Sequence, residues 1–225
     1  METFNDDDQL QQLKDWWKQN WQPVLLGLGL SIGGVLGWNA WQSYSQGVAE
    51  RASGHYEQLR LSLTQGNLEE AKQARQALVD EYSSSPYAAQ ASLMLAQYHM
   101  QQGDEVTAIA HLEWASENAG EKRLRHLAQL RLARLLWAQG EDEAALALLE
   151  GDNQDAFAAL YAELRGDILL GQDQVDAARE AYEQALALSQ DADAANQQLY
   201  SNVTLIQKLN DLGVATPDKP EADAS

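Results

Sequence analysis

The segment QGDEVTA, residues 102–108, decides the fold of this chain, because it recurs in related form on either side. The segments QGNLEEA at residues 65–71 and QGEDEAA at residues 139–145 carry the Gln-Gly pair and the last alanine in the same register, at an interval of 37 residues. A glycine can end a helix in the left-handed conformation, and the polar residue after it can begin the next helix. We therefore predict that each segment joins the two helices of a repeated hairpin.

Small residues recur in the helices around these turns, where two helices must approach closely. In the last unit Gly166, Ala178, Tyr182 and Ala185 have the spacing of a tetratricopeptide hairpin, whose period is about 34 residues. The equivalent positions of the two preceding units hold Ala96, Ala108, Leu112 and Ala115, and Ala133, Ala145 and Leu149. This agreement predicts a tetratricopeptide-like helical-repeat domain, which is an α-solenoid.

The fold class is predicted to be all-α, because alanine and leucine dominate with helical periodicity and Pro86 is the one proline between Pro23 and Pro217. Pro86 follows three serines, a pattern typical of a helix start. We expect residues 191–213 to form a final helix that caps the stack, and residues 214–225 to be a disordered tail. The apolar stripe predicted for the final helix consists of Leu199, Val203, Ile206 and Leu209.

The stretch WQPVLLGLGLSIGGVLGWNAW, residues 21–41, is predicted to be a single transmembrane helix. It lies within 31 consecutive uncharged positions, residues 19–49. At 1.5 Å per residue its length is roughly 31 Å, which matches the ~30 Å hydrocarbon core of a bilayer. A cleaved signal peptide is the alternative, but residues 1–20 carry five acids against two lysines, whereas a signal peptide begins with basic residues.

Glycines mark one face of this predicted span. Gly29, Gly33 and Gly37 recur every four residues, so a second helix could pack closely against them in the membrane. The alternative is that glycine is simply frequent in spanning helices. Residues 29–33 also fit the G-x-S-x-G motif of hydrolases, but that motif requires a strand-turn-helix context, which a bilayer span excludes.

The domain organisation follows from the span. Residues 1–20 are predicted to be a polar tail with an amphipathic run, and residues 42–213 to be the repeat domain. Two lysines precede the span and two arginines follow it closely, so the positive-inside rule gives a tie. Lys18 lies nearest to the span, which favours a cytoplasmic N-terminus.

Charge and residue types exclude several functions. A net charge of −19 without a basic cluster disfavours a nucleic-acid partner, and the chain has no cysteine. The four histidines lack the spacing of a zinc site, and no catalytic constellation is present. We therefore expect no enzyme activity, no catalytic residue, no cofactor, no metal site and no small-molecule substrate.

Helical repeats usually offer a concave groove lined by the first helix of each hairpin. The repeat register predicts six side chains in this groove. They are Met100, Gln101, Arg134, Trp137, Glu163 and Asp167. Methionine adapts its shape and tryptophan is a rigid apolar anchor, which suits a bound protein segment. The alternative is that Met100 and Trp137 pack in the core of the solenoid.

The order of these features resembles a known family. The run KDWWK at residues 14–18, the end of the span at GWNAW (37–41), LRLARLLWAQG (130–140), AELRGDILLGQ (162–172) and the closing QKLNDL are similar to the YfgM-like ancillary subunits of the SecYEG translocon. The resemblance covers nearly the whole chain.

The resemblance implies a single-pass protein of the cell inner membrane, with a cytoplasmic N-terminus and a periplasmic tetratricopeptide-like domain. It implies partners as well: the SecYEG translocon, the membrane-anchored chaperone PpiD and unfolded secreted proteins. Its function would be a non-catalytic, chaperone-like adaptor in protein translocation. The alternative is a scaffold for envelope assembly or cell division with the same repeat architecture.

Overall fold

The computed structural model describes residues 6–151, 157–191 and 202–214 of the chain. Within these ranges every regular element is an α-helix and none is a strand, which confirms the all-α prediction. The helices are α1 (Asp6–Thr64), α2 (Leu68–Glu81), α3 (Pro86–Gln101), α4 (Glu105–Asn118), α5 (Lys122–Ala138), α6 (Asp142–Leu148), α7 (Ala158–Gly171), α8 (Val175–Asp191) and α9 (Asn202–Val214). The predicted tail lies outside the described residues, except for Val214, which belongs to α9.

The chain divides into two compact units, Met1–Arg51 and Ala52–Ser225. The described part of the first unit belongs to α1, which contains Pro23. Its segments Leu13–Pro23 and Leu25–Thr64 are bent by 48° relative to each other. Proline causes such a bend because it lacks the N–H of a helical hydrogen bond and its ring displaces the preceding turn.

The repeat turns of the second unit have the predicted conformation. Gly66, Gly103 and Gly140 have φ angles of 78°, 74° and 81°. At each turn the residue after the glycine donates its N–H to the carbonyl oxygen five residues earlier, in the last turn of the helix. Asp104 N, for example, donates to His99 O at 2.9 Å. A fourth turn follows α7, where Asp173 takes the left-handed position with φ 61°. The sequence analysis predicted this last hairpin from the spacing of Gly166, Ala178, Tyr182 and Ala185, but it did not identify the turn residue, because position 173 is not a glycine.

Capping differs from one helix start to the next. Asp104 accepts a hydrogen bond from Thr107 N at 3.2 Å, so it caps α4 as predicted. Asn67 occupies the same position before α2 without a side-chain capping bond. Ser85 caps α3 by accepting from Tyr87 N at 3.3 Å, and Pro86 is the first residue of the helix, which confirms the predicted start.

The repeat alanines form the contacts that hold each hairpin together. Ala71, Ala108, Ala145 and Ala178 are fully buried and occupy equivalent places in α2, α4, α6 and α8. Each belongs to one of four consecutive apolar clusters between neighbouring helices. Burial of apolar surface of this kind is the main force that stabilises a solenoid, because each repeat covers the next.

The tightest approach is in the hairpin of α7 and α8. A Cβ atom at Gly166 would lie 2.5 Å from Cε1 of Tyr182. The Tyr182 ring is buried, and its hydroxyl donates to Asp167 Oδ1 at 2.7 Å. Glycine at position 166 therefore provides the space for this ring.

The predicted final helix is present from Asn202 onward, whereas Asp191 belongs to α8 and residues 192–201 lie outside the described residues; the stripe predicted for this helix was wrong. In α9 the buried residue is Leu205, 1% exposed, and Leu209 and Leu212 pack beside it against α8. Val203 and Ile206 are 68% and 46% exposed. Leu199 lies outside the described residues. Leu209 belongs to both the predicted stripe and the stripe of Leu205 and Leu212. The second of these stripes packs against α8.

Candidate partner-binding groove

A groove of about 370 Å³ lies between α3 and α5, the first helices of two successive hairpins, with α4 beneath them. Its floor is apolar: Leu93, Leu112 and Leu135 are buried there, next to Ala96. The remaining lining residues are Gln97, Met100, Arg131, Arg134 and Ala138. Such a volume is near the lower end of the ~300–1,000 Å³ typical of ligand pockets, so the groove suits a few side chains of a bound segment.

Two arginines supply the charge of the groove. Arg131 and Arg134 stand one helical turn apart on α5, so their guanidinium groups are neighbours. Burial lowers the pKa of Arg131, and the positive charge of Arg134 lowers it further. Among the described residues, neither arginine has an ion pair or a hydrogen bond with a carboxylate. The groove therefore presents positive charge beside an apolar floor.

Only part of the predicted set lines this groove. Met100 and Arg134 do, and Met100 is exposed at its edge. Gln101 is exposed at the end of α3 and does not belong to the lining. Trp137 is half-buried and packs against the apolar cluster between α5, α6 and α7. Met100 and Trp137 occupy equivalent repeat positions, yet the structure places them in different surroundings.

The predicted residues Glu163 and Asp167 lie at another site, beneath α9. Lys208 of α9 contacts both: its Nζ is 2.8 Å from Glu163 Oε1 and 2.6 Å from Asp167 Oδ1. Burial alone would lower the pKa of Lys208, but the hydrogen bonds that Lys208 donates to Asp167 and Glu163 outweigh this effect, so the pKa is raised. These two acids attach the final helix to α7.

Sequence reasoning missed Gln97, Arg131 and the leucines of the floor. One signal was available, since Gln97 and Arg134 are separated by the repeat interval of 37 residues and so occupy equivalent places on α3 and α5. Arg131 lies one turn before Arg134 on the same face. The three leucines belong to the apolar cluster of α3, α4 and α5 and to the groove floor at the same time.

A second polar cluster lies beside the groove, between α2, α3 and α4. Nδ1 of the buried His99 is 2.9 Å from Asp104 Oδ2, and the rings of His99 and His111 are 5.5 Å apart. Burial lowers the pKa of His111 to about 4, with further lowering by the charges of Arg75, His99 and Lys72. The Arg75 guanidinium lies 5.2 Å above the Trp114 ring. In the described residues no group of three metal-ligating side chains surrounds these rings.

The glycine face of α1 is open. At Gly29, Gly33 and Gly37 no atom lies within 4 Å of the position that a Cβ would take. By length and composition no single helix of the described ranges qualifies as a membrane span. The bent pair Leu13–Pro23 and Leu25–Thr64 meets the same criteria when its two segments are taken together.

The stacked hairpins and the groove between their first helices define a helical-repeat protein of the tetratricopeptide class. A family described as tetratricopeptide repeat-like domain matches residues 14–214. The chain belongs to this family.

Relatives from three bacteria resemble the chain over most of its length, and each is named ancillary SecYEG translocon subunit. The protein of Haemophilus influenzae is 31% identical, over 81% of this chain and 89% of its own. That of Escherichia coli is 29% identical, over 81% of this chain and 88% of its own. That of Aggregatibacter actinomycetemcomitans is 29% identical, over 88% of this chain and 95% of its own.

Proposed function

We propose that the chain is a non-catalytic ancillary subunit of the SecYEG translocon. The observation that carries the proposal is the similarity to relatives of that name, which extends over 81% of this chain and 89% of the Haemophilus influenzae protein. A shared fold alone would not support it, because helical repeats have many functions. The family match over residues 14–214 includes the N-terminal segment as well as the repeats, which is a stronger basis.

The N-terminal helix is proposed to anchor the protein in the inner membrane as a single span, with the N-terminus in the cytoplasm and the repeat domain in the periplasm. Many large apolar side chains of α1 are exposed, among them Leu26, Leu30 and Leu36. Exposed leucines in such number are costly in water and favourable in lipid. The bent pair supports the same interpretation by length and composition.

The repeat domain is proposed to dock partner proteins at the exit of the channel, namely the chaperone PpiD and unfolded secreted proteins. The groove between α3 and α5 supports this role because it combines a buried leucine floor with the adaptable Met100. The glycine face of α1 is proposed to contact a partner helix in the membrane.

In-cell photo-crosslinking tests the proposal. A photoreactive residue replaces Gly33 in α1 or Met100 in the groove, and Val106, an exposed residue of α4 outside the groove, serves as the control position. We expect Gly33 to yield adducts with SecYEG subunits and Met100 to yield adducts with PpiD or secreted proteins, whereas Val106 yields few. Adducts with envelope-assembly or division proteins in place of Sec subunits would support the scaffold alternative.

The orientation has its own test. Because the chain has no cysteine, a single introduced cysteine reports one position. Cells that express the Lys14→Cys or the Val106→Cys variant are permeabilised at the outer membrane only. They are then treated with a maleimide that does not cross the inner membrane. We expect labelling at position 106 and protection at position 14. The reverse pattern would contradict the proposed topology.

A further inference from the structure

We propose that the groove between α3 and α5 binds a short protein segment that carries apolar side chains together with one or two carboxylates, and that Arg131 and Arg134 bind those carboxylates. This inference rests on the proposed function, in which the groove is the docking site, and specifies the chemistry of its occupant.

The first argument is the lack of counter-ions. Other cations of the repeat domain have hydrogen-bond partners. Arg60 contacts Glu57 at 2.6 Å and Lys208 contacts two acids, whereas Arg75 and Arg125 donate to neutral oxygens. In the described part of the chain, Arg131 and Arg134 have each other as neighbours and no acidic partner. The chain holds 34 acidic residues against 15 basic ones, yet none of the described residues that line the groove is acidic.

The second argument is the electrostatic state of the pair. Partial burial and the charge of Arg134 lower the pKa of Arg131, and among the described residues no carboxylate offsets the repulsion between the two guanidinium groups. A carboxylate placed between the two guanidinium groups would receive charge-assisted hydrogen bonds from both and remove their repulsion. The neighbouring apolar floor strengthens these bonds by excluding water once a segment is bound.

The third argument decides between a short segment and a longer polyanion. The net charge of −19 repels nucleic acid or an anionic membrane surface, because a long array of negative charges meets the field of the whole domain. One or two carboxylates would interact chiefly with the two arginines, since the charges of residues more than about 8 Å away are screened at physiological ionic strength. Apolar side chains beside the acids would fill the leucine floor, as the volume of about 370 Å³ allows.

Selection from a phage-displayed library of random short peptides tests the proposal with the full chain in detergent micelles. Arg131→Gln with Arg134→Gln is the test variant, and Arg123→Gln is the matched control, because Arg123 is exposed on the same helix outside the groove. We expect the unaltered chain to enrich peptides that combine leucine or phenylalanine with one or two acids.

An enriched peptide is then synthesised, and its Kd is measured by fluorescence anisotropy. We expect the double variant to weaken binding about tenfold or more, as removal of a charged partner usually does, and Arg123→Gln to leave it unchanged. A peptide with Gln in place of Glu should lose affinity for the unaltered chain and little for the double variant. Circular dichroism establishes that the variants are folded.

Enrichment of peptides without acids, binding that tolerates the double variant, or no enrichment at all would overturn the proposal. These outcomes are independent of the crosslinking experiment. If acidic peptides bind while no Sec subunit is crosslinked, the groove chemistry stands and the translocon proposal fails. If Sec subunits are crosslinked while the selection fails, the translocon proposal stands and the groove chemistry is refuted.

Discussion

Asp173 has the backbone conformation that glycine has at the turns after α1, α3 and α5. Aspartate tolerates left-handed angles better than most residues, but a Cβ there is still unfavourable. The four left-handed positions follow one another at 37, 37 and 33 residues, so the repeat rule extends to a turn without glycine. The sequence analysis found the three glycine turns because glycine is a specific signal, whereas an aspartate in this conformation looks like any polar loop residue.

Asp173→Gly should therefore stabilise the domain by roughly 0.5–1 kcal/mol, since it removes the steric strain at φ 61°. Gly103→Asp is the reciprocal control and should destabilise by a similar amount, because φ at this glycine is 74°. Thermal unfolding followed by circular dichroism measures both. A lower melting temperature for Asp173→Gly would contradict the interpretation of the fourth turn.

His111 gives a pH dependence to stability. Its pKa in the folded chain is about 4, chiefly through burial, whereas an unfolded histidine titrates near 6.5. As the pH falls, His111 takes up a proton in the unfolded state at a higher pH than in the folded state. The contribution of neutral His111 to the free energy of unfolding is therefore complete above pH 6.5 and is lost as the pH falls toward 4. The full shift corresponds to about 3 kcal/mol, and solvent screening of this partly exposed ring reduces it to on the order of 1–2 kcal/mol.

Urea unfolding between pH 4 and pH 7 measures this effect. We expect the unfolding free energy of the unaltered chain to fall more steeply with acidification than that of His111→Gln, which cannot take up the proton. The two proteins are compared by the slope of unfolding free energy against pH, because a packing defect alone would lower the unfolding free energy of the variant by the same amount at every pH. Parallel curves would show that His111 does not contribute.

At the scale of the helices, Gly166 determines how closely α7 and α8 pack. Gly166→Ala would place a methyl group 2.5 Å from the buried Tyr182 ring, which its hydroxyl bond to Asp167 holds in place. We expect destabilisation of roughly 1–3 kcal/mol, as for other overpacked sites. Gly54→Ala is the matched control, because Gly54 is helical with no atom within 4 Å, and it should stabilise by up to about 1 kcal/mol. Equal effects on the melting temperature would contradict the steric explanation.

Attachment of α9 depends on Lys208. Lys208→Met would leave Glu163 and Asp167 close together without their cation, and we expect a loss of roughly 1–3 kcal/mol, less than for a fully buried pair because these groups are partly exposed. Hydrogen exchange should show the loss first as faster exchange of α9 amides. Lys122→Met is the control: it removes the charge of an exposed residue of α5 and should leave the α9 amides protected from exchange. Unchanged exchange in α9 would show that its leucines suffice.

At the scale of the whole molecule, the repeat period was predictable and the position of the groove only partly so. The period depends on local signals, the glycine turns and buried alanines, which the sequence displays directly. Groove residues depend on how successive hairpins stack. The interval after Gly140 is shorter, and α6 has 7 residues where α4 has 14. Trp137 packs against the apolar cluster between α5, α6 and α7 and is half-buried, whereas Met100, one repeat earlier, stays exposed.

The two units should differ in their affinity for membranes. Large exposed apolar residues are concentrated in α1, from Leu10 to Tyr44, whereas the repeat domain exposes few. We expect the full chain to remain with membranes after carbonate extraction and residues 52–225, produced alone, to appear in the soluble fraction. Leu26→Arg with Leu30→Arg should weaken retention, because each charge at the centre of a span opposes insertion by about 2.5–3.5 kcal/mol. Leu61→Arg, an exposed leucine of the repeat domain, is the control. If the full chain were extracted by carbonate, the anchor would be refuted, and retention that survives the double arginine variant would show that Leu26 and Leu30 do not lie at the centre of the span.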